Sequence, residues 1–262
     1  HLSSEEYEPD APFAHENPRF KSFSKNLYGN ETSANPYHYG HLPEVTVNAD
    51  GTGTLVKHYC LGRISHELIE VMPDRRTVIM GDDYTNSGMF LFIADKAEDL
   101  SSGTLYVAKL SDGFSIDPKD AGATFSWIKL GHATSDEIKK LATSLKPSDI
   151  MTVLKTDPND PSFTKIYYDG TANWVKLNPG MEKAAAFLET HRYAYLMGGS
   201  MGFSKMEGTT ANLKDKLAYF ALQNIQDSMV KTGKGWNAQS NIELSKPLIA
   251  GGIMTSKLTA II

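Results

Sequence analysis

From Leu42 onward the chain is a succession of short apolar runs, each ending in a turn, and this repetition constrains the fold more than any other feature. Residues 44–48, the polar turn Ala49-Asp50-Gly51-Thr52-Gly53 and residues 54–59 have the pattern of a β-hairpin. Residues 68–72, a Pro73-Asp74 turn and residues 77–80 repeat it, and the runs 89–93, 104–110 and 124–130 obey the same rule. Short strands closed by turns predict an antiparallel all-β fold. The units recur at loose intervals, as in a β-propeller whose blades carry insertions. Periodicity alone leaves a sandwich open.

Two segments interrupt the strands. Thr134-Ser135-Asp136-Glu137 is a capping box that opens an amphipathic helix over 134–145. Residues 182–197 have helical spacing and Ala-rich propensity, and they stop at Gly198-Gly199. Residues 1–41 form a loop-rich N-terminal segment. Its stretch 7–41 is rich in Pro, Asn, Ser, Tyr and His without a sustained period, which predicts a long loop or insertion with short turns. Strand texture returns at 217–222. The whole reads as one propeller-like domain over 1–262, with helical insertions at 134–145 and 182–197.

A chain of 262 residues with 40% hydrophobic and 22% charged residues supports one large soluble core. No apolar run reaches the length of a membrane span. The net charge of -5 comes without a basic stripe, so nucleic acid is not an indicated partner. An acidic surface does not draw in anionic substrates, so phosphate recognition would need bound metal or a local cation. The single cysteine, Cys60, lies in an apolar stretch read as a strand and is expected to be a small buried hydrophobe. The first residues, His1-Leu2-Ser3-Ser4-Glu5, begin abruptly in patterned sequence and read as an internal start left by processing or trimming.

Acidic clusters sit where strands meet turns: Ser4-Glu5-Glu6, His66-Glu67 after Gly62-Arg63, Gly81-Asp82-Asp83, and Lys205-Met206-Glu207-Gly208. Carboxylates repel one another and are costly to desolvate, so gathering several needs cations between them. Such hard oxygen ligands suit calcium, magnesium or oxidised iron better than zinc. Taken singly, each cluster also has a plain reading. His66-Glu67 is then a surface glutamate beside a core histidine, Asp82-Asp83 an Asx turn, Lys205 and Glu207 a surface ion pair, and Glu5-Glu6 a solvated terminus. Of the two adjacent aspartates, one can bind metal while the other orients a neighbouring ligand.

The order of these clusters resembles the PhoX-type bacterial alkaline phosphatases. Leu61-Gly62-Arg63-Ile64-Ser65-His66-Glu67 followed by Met80-Gly81-Asp82-Asp83 is similar to the "GRF-x-HE" and "GDD" segments of that family. The opening Leu2 to Glu6 resembles its "LTCEEN" stretch, and the helix from Glu182 with Lys205 to Gly208 resembles its helix and "RPEW" motif. The resemblance implies a propeller phosphomonoesterase acting on phosphate-ester small molecules, periplasmic or extracellular, with calcium and iron held by loop carboxylates. On that basis Glu5, Glu67, Asp82 and Glu207 are expected metal ligands, and Lys205 the expected phosphate contact.

Two positions depart from the pattern. Ser4 stands where the family has a cysteine that ligates iron, and a hydroxyl is a much poorer iron ligand, so the cluster is altered, iron-free or missing. Lys205 replaces an arginine and loses its bidentate fork. On this resemblance the chain is also expected to lack the family's upstream phosphate-contacting region and its last blades. It is therefore expected to be an incomplete propeller or a relative with a reduced site. Two other readings stay open: a non-catalytic relative that keeps calcium for structure, and a surface interaction module without metal.

Overall fold

The computed structural model describes residues 1–112, 114 and 122–259. The N-terminal segment carries helix α1 (Pro18–Tyr28) before the hairpin β1 (Leu42–Val47) and β2 (Gly53–His58). Then come β3 (Ile69–Val71), β4 (Thr77–Met80), β5 (Thr85–Ser87), β6 (Phe90–Lys96), β7 (Asp99–Leu110) and β8 (Phe125–Thr134). Helices α2 (Ser135–Ser144) and α3 (Pro147–Ile150) lead into β9 (Met151–Leu154), β10 (Thr164–Tyr168) and β11 (Thr171–Leu177). Helices α4 (Glu182–Leu188) and α5 (Thr190–Leu196) precede β12 (Phe203–Ser204), β13 (Met206–Asn212), β14 (Leu217–Leu222) and β15 (Gly252–Lys257).

The central sheet has five strands in the order β3-β4-β6-β7-β8, all antiparallel. Three-stranded antiparallel sheets β10-β11-β9 and β13-β14-β15 accompany it, with β12 paired to β5. Alternation along the strands explains how the central sheet is covered on both faces. Val78, Met80, Phe90, Phe92, Leu105 and Val107 face a core shared with α2, α4, α5 and the β9–β11 sheet. Ile79, Leu91, Ala108 and Leu110 face a second core with Phe203, Phe220 and Leu222. The period of two thus feeds two cores from one sheet.

The two helical insertions differ in how far they follow the sequence pattern. At α2 the capping box forms, with Thr134 Oγ1 accepting from the Glu137 N–H at 3.1 Å and Glu137 Oε2 accepting from the Thr134 N–H at 3.3 Å. The segment 182–197, expected as one helix, is two. It breaks at Glu189, whose backbone sits at φ -122°, ψ 45°. The reason is tertiary: the buried Glu189 carboxylate accepts from the Tyr37 hydroxyl at 2.8 Å and from Arg192 Nη1 at 2.9 Å.

Two further differences are local. The stretch expected as loop contains α1, which starts where Asn17 caps the Arg19 N–H at 2.9 Å with Pro18 in its first turn, and ends at Gly29 with φ 79°. Only Phe20 and Ser24 of this helix are buried, so its apolar stripe is too narrow to show as a period. Cys60 lies in a short 3-10 turn rather than a strand, and it is buried, with its thiol pushed up to about 12 by burial. Burial therefore disfavours a reactive thiolate there.

Phe187 is fully buried beneath β8, where a methyl group on Gly131 would lie 3.0 Å from its ring. Replacing Phe187 with alanine leaves a ring-sized void between helix and sheet. The expected loss is about 3–5 kcal/mol, read as a lower denaturation midpoint in urea with an unchanged slope.

Candidate metal centre

One ligand oxygen each from Glu67, Asp83 and Glu207 lies within 4.8 Å of the others, although the residues come from three distant segments. Glu67 leads into β3, Asp83 follows β4, and Glu207 lies near the start of β13. Backbone contacts between these segments set the spacing. The Leu68 N–H donates to the Glu207 carbonyl at 3.3 Å, and the Asp83 N–H donates to the Ser65 carbonyl at 3.2 Å. The register of β13 against β14 shifts between Met206 and Gly208. Glu207 is the extra residue of that bulge, which bends the strand and aims its side chain away from the ladder.

Two backbone features hold the bulge in place. Lys205 occupies the left-handed region at φ 53°, a costly conformation for a residue with a β-carbon. Its N–H donates to the Tyr84 carbonyl at 3.0 Å, and its carbonyl accepts from the Gln223 N–H at 2.8 Å. Gly81 has no left-handed angle; its role is close approach. A β-carbon there would lie 2.3 Å from the Met206 carbonyl oxygen. The glycine next to the two aspartates therefore lets β4 abut the strand that carries Glu207.

The charges are unbalanced. Three carboxylates face one cation, Lys205, whose ammonium contacts Asp83 and lies 3.4 Å from Glu207. Glu67 Oε2 is buried without a hydrogen-bond partner among the described residues. Burial, then the neighbouring Glu207, Asp83 and Glu6 charges, push the Glu67 carboxyl up to about 7 from its usual 4.5. The Glu207 carboxyl is raised as well, by burial first. A net negative, oxygen-only group with an orphaned ligand atom fits a hard cation. It offers no thiolate: Ser4 is exposed and Cys60 is buried against Ser135 and the Leu100 carbonyl.

The structure does not bring Asp82 or Glu5 into this group. Asp82 is fully buried and faces the other way, with Oδ1 accepting from the Ser65 N–H at 3.1 Å and Oδ2 against His191 Nε2. Asp82, the expected ligand, is held in the interior, and its neighbour Asp83 stands with Glu67 and Glu207 instead. Glu5 pairs with Lys57 at 2.5 Å and accepts from the His41 N–H at 3.0 Å. The plain reading of His66 as a core histidine describes it, since it is buried and bonds the Gly62 carbonyl at 3.1 Å.

Behind Asp82 lies a set of buried charges that sequence reasoning missed. His191 Nδ1 lies 3.4 Å from Glu8 Oε2, and Arg63 Nη1 donates to Glu8 Oε1 at 2.9 Å. Arg192 contacts Glu189 at 2.9 Å and Asp10 at 2.7 Å. Burial alone would lower His191, but the Asp82 and Glu8 carboxylates reverse this and raise it to about 9. Only the Arg63 signal was visible beforehand, as part of a motif rather than as a pairing.

Two outcomes follow from this geometry. Gly81→Ala should push β13 from β4, costing about 2–3 kcal/mol and about tenfold in cation affinity, measured by thermal melts and terbium luminescence. Cation binding must also displace the Glu67 proton, so calcium affinity measured by calorimetry should rise with pH through about 7 and flatten in Glu67→Gln. The sign for stability is opposite. The raised folded value means that cation-free protein loses stability as pH climbs from 4.5 through about 7, because the unfolded chain gives up this proton first.

A family model described as alkaline phosphatase PhoX matches residues 1–244. Among solved structures, Pseudomonas fluorescens PhoX in complex with vanadate, a transition state analogue, aligns with a TM-score of 0.51 at 20% identity. That alignment covers 84% of this chain and 32% of the other, so the chain spans about a third of the solved relative's length. No curated protein matches it. At this identity the likeness bears on the fold, and it agrees with antiparallel, propeller-like β-sheets interrupted by a few helices. With the family model spanning nearly the whole sequence, the chain belongs to the PhoX alkaline phosphatase family.

Proposed function

We propose that this protein hydrolyses phosphate monoesters at a metal centre held by Glu67, Asp83 and Glu207. The observation that carries the reading is the convergence of these three carboxylates within 4.8 Å beside a single lysine, in a chain of a phosphatase family. Calcium suits the donor set, and iron has no thiolate to hold it; bound there, the cation would offset charge on the transferring phosphoryl group.

The chain's own residues supply the rest. Were a cation held by Glu67, Asp83 and Glu207, the Lys205 ammonium that now pairs with Asp83 and Glu207 would be free to hold a phosphate oxygen. It would do so as a point charge, with less orientational control than an arginine. Asp82 does not touch the phosphate; through Ser65 and His191 it fixes the loop that presents Asp83. Glu5 contributes by anchoring the N-terminal segment through Lys57 and His41. None of the described helices is long and apolar enough to cross a membrane. With phosphate esters as partners, a periplasmic or extracellular setting suits the proposed reaction.

The test is turnover of p-nitrophenyl phosphate by calcium-loaded protein. Glu67→Gln and Glu207→Gln should each reduce kcat/KM at least about 100-fold while circular dichroism stays unchanged. Metal binding without turnover would establish the calcium-only structural reading instead. Absence of any bound cation would remove both.

A further inference from the structure

The ammonium of Lys205 already answers part of the charge at the candidate centre. Among the described residues its ion-pair partners are Asp83 and Glu207, two of the three converging carboxylates. No ion pair among those residues reaches the third, Glu67, whose buried Oε2 also lacks a hydrogen-bond partner. Lysine sets one positive charge against three carboxylates, so it neutralises the group only in part. A dication drawn to the same carboxylates would stand beside the ammonium, and like charges repel.

The lysine side chain is able to yield. Its backbone is pinned on both sides, the N–H donating to the Tyr84 carbonyl at 3.0 Å and the carbonyl accepting from the Gln223 N–H at 2.8 Å. The strained φ of 53° is therefore held whatever the side chain does. Beyond the β-carbon, a long flexible stem carries a compact, strongly hydrated charge. The side chain is 27% exposed, so a path to water is open. Ion pairs that open to solvent are weak and part without large cost. A fully buried pair such as Arg63 with Glu8 would not let go in this way.

On the reading of these carboxylates as a cation site, we infer that Lys205 is its built-in counter-ion, which holds Asp83 and Glu207 when the cation is absent and competes with the cation for them. The cation is then exchangeable rather than permanent. By linkage, any group that draws the ammonium away tightens the cation, and a phosphate oxygen is one such group.

Calorimetric titration with calcium at about pH 8.5, above the Glu67 value of about 7, tests it. Lys205→Met should bind calcium at least about tenfold tighter than the unchanged protein, and Lys205→Arg, which keeps the charge, within about threefold of it. Lys205→Gln is a second neutral variant, and circular dichroism checks that each one folds. Calcium affinity that is unchanged or weaker in the neutral variants means that the ammonium assembles the carboxylates, and it overturns the counter-ion role. An equal gain in Lys205→Arg overturns it too, as does a lack of calcium binding in every protein, which takes the metal centre with it. Repeating the titrations with inorganic phosphate separates this role from the phosphomonoesterase reading. Phosphate should tighten calcium more in the unchanged protein than in Lys205→Met. A gain in the neutral variants without any effect of phosphate keeps the counter-ion and removes the phosphatase reading. Phosphate that tightens calcium equally in both, with no gain from Lys205→Met, does the reverse.

Discussion

Six buried ionisable groups, three acidic and three basic, hold this structure in register. Glu8, Asp82 and Glu189 oppose Arg63, His191 and Arg192, and every one of them is no more than 5% exposed. Ions out of water are tolerable only when paired, and removing one partner from a buried pair costs several kcal/mol. The pairs join the N-terminal segment, the turns on either side of β3 and β4, and the helix pair. None of those segments can move alone without stranding a charge. The net stabilisation of such pairs is small, so their effect is on position rather than on energy.

That positional constraint is what brings the carboxylates of the candidate metal centre together. Asp82 and Asp83 are adjacent, and extended backbone sends successive side chains to opposite sides. Fixing Asp82 in the buried network therefore turns Asp83 outward to Glu67 and Glu207. The same turn brings Gly81 against the Met206 carbonyl, which sets the β13 bulge at Glu207. One residue pair couples the interior charges to the half-buried carboxylates of the candidate centre. Where the interior is balanced in sign, the centre is left with an excess of carboxylate that a cation can answer.

The strands were legible because alternation is a local property: each run from 68 to 130 shows its period within a few residues. The capping box at Thr134 was legible for the same reason. The helix 182–197 was only partly so. Its propensity is helical throughout, but the break at Glu189 depends on Tyr37, far away in sequence. Helix α1 was hidden because it buries little, so nothing in its composition marks a face. Of the site, the convergence of Glu67 with Glu207 followed from motif order, whereas Asp83 over Asp82 did not, since adjacent aspartates are chemically identical until one is buried.

By itself the sequence determined the strand succession, the α2 cap, the family, and the carboxylate-rich character of the centre. All of these are written in residue type and short spacing. Tertiary structure alone decided which aspartate faces the centre, where the second helix breaks, and that Gly81 serves backbone approach rather than a left-handed turn. It also decided that the carboxylate of Glu5 goes to Lys57. Each of these choices is made by a partner dozens of residues away, because charge pairing and close packing depend on distance in space and leave no mark on neighbouring residues in the chain.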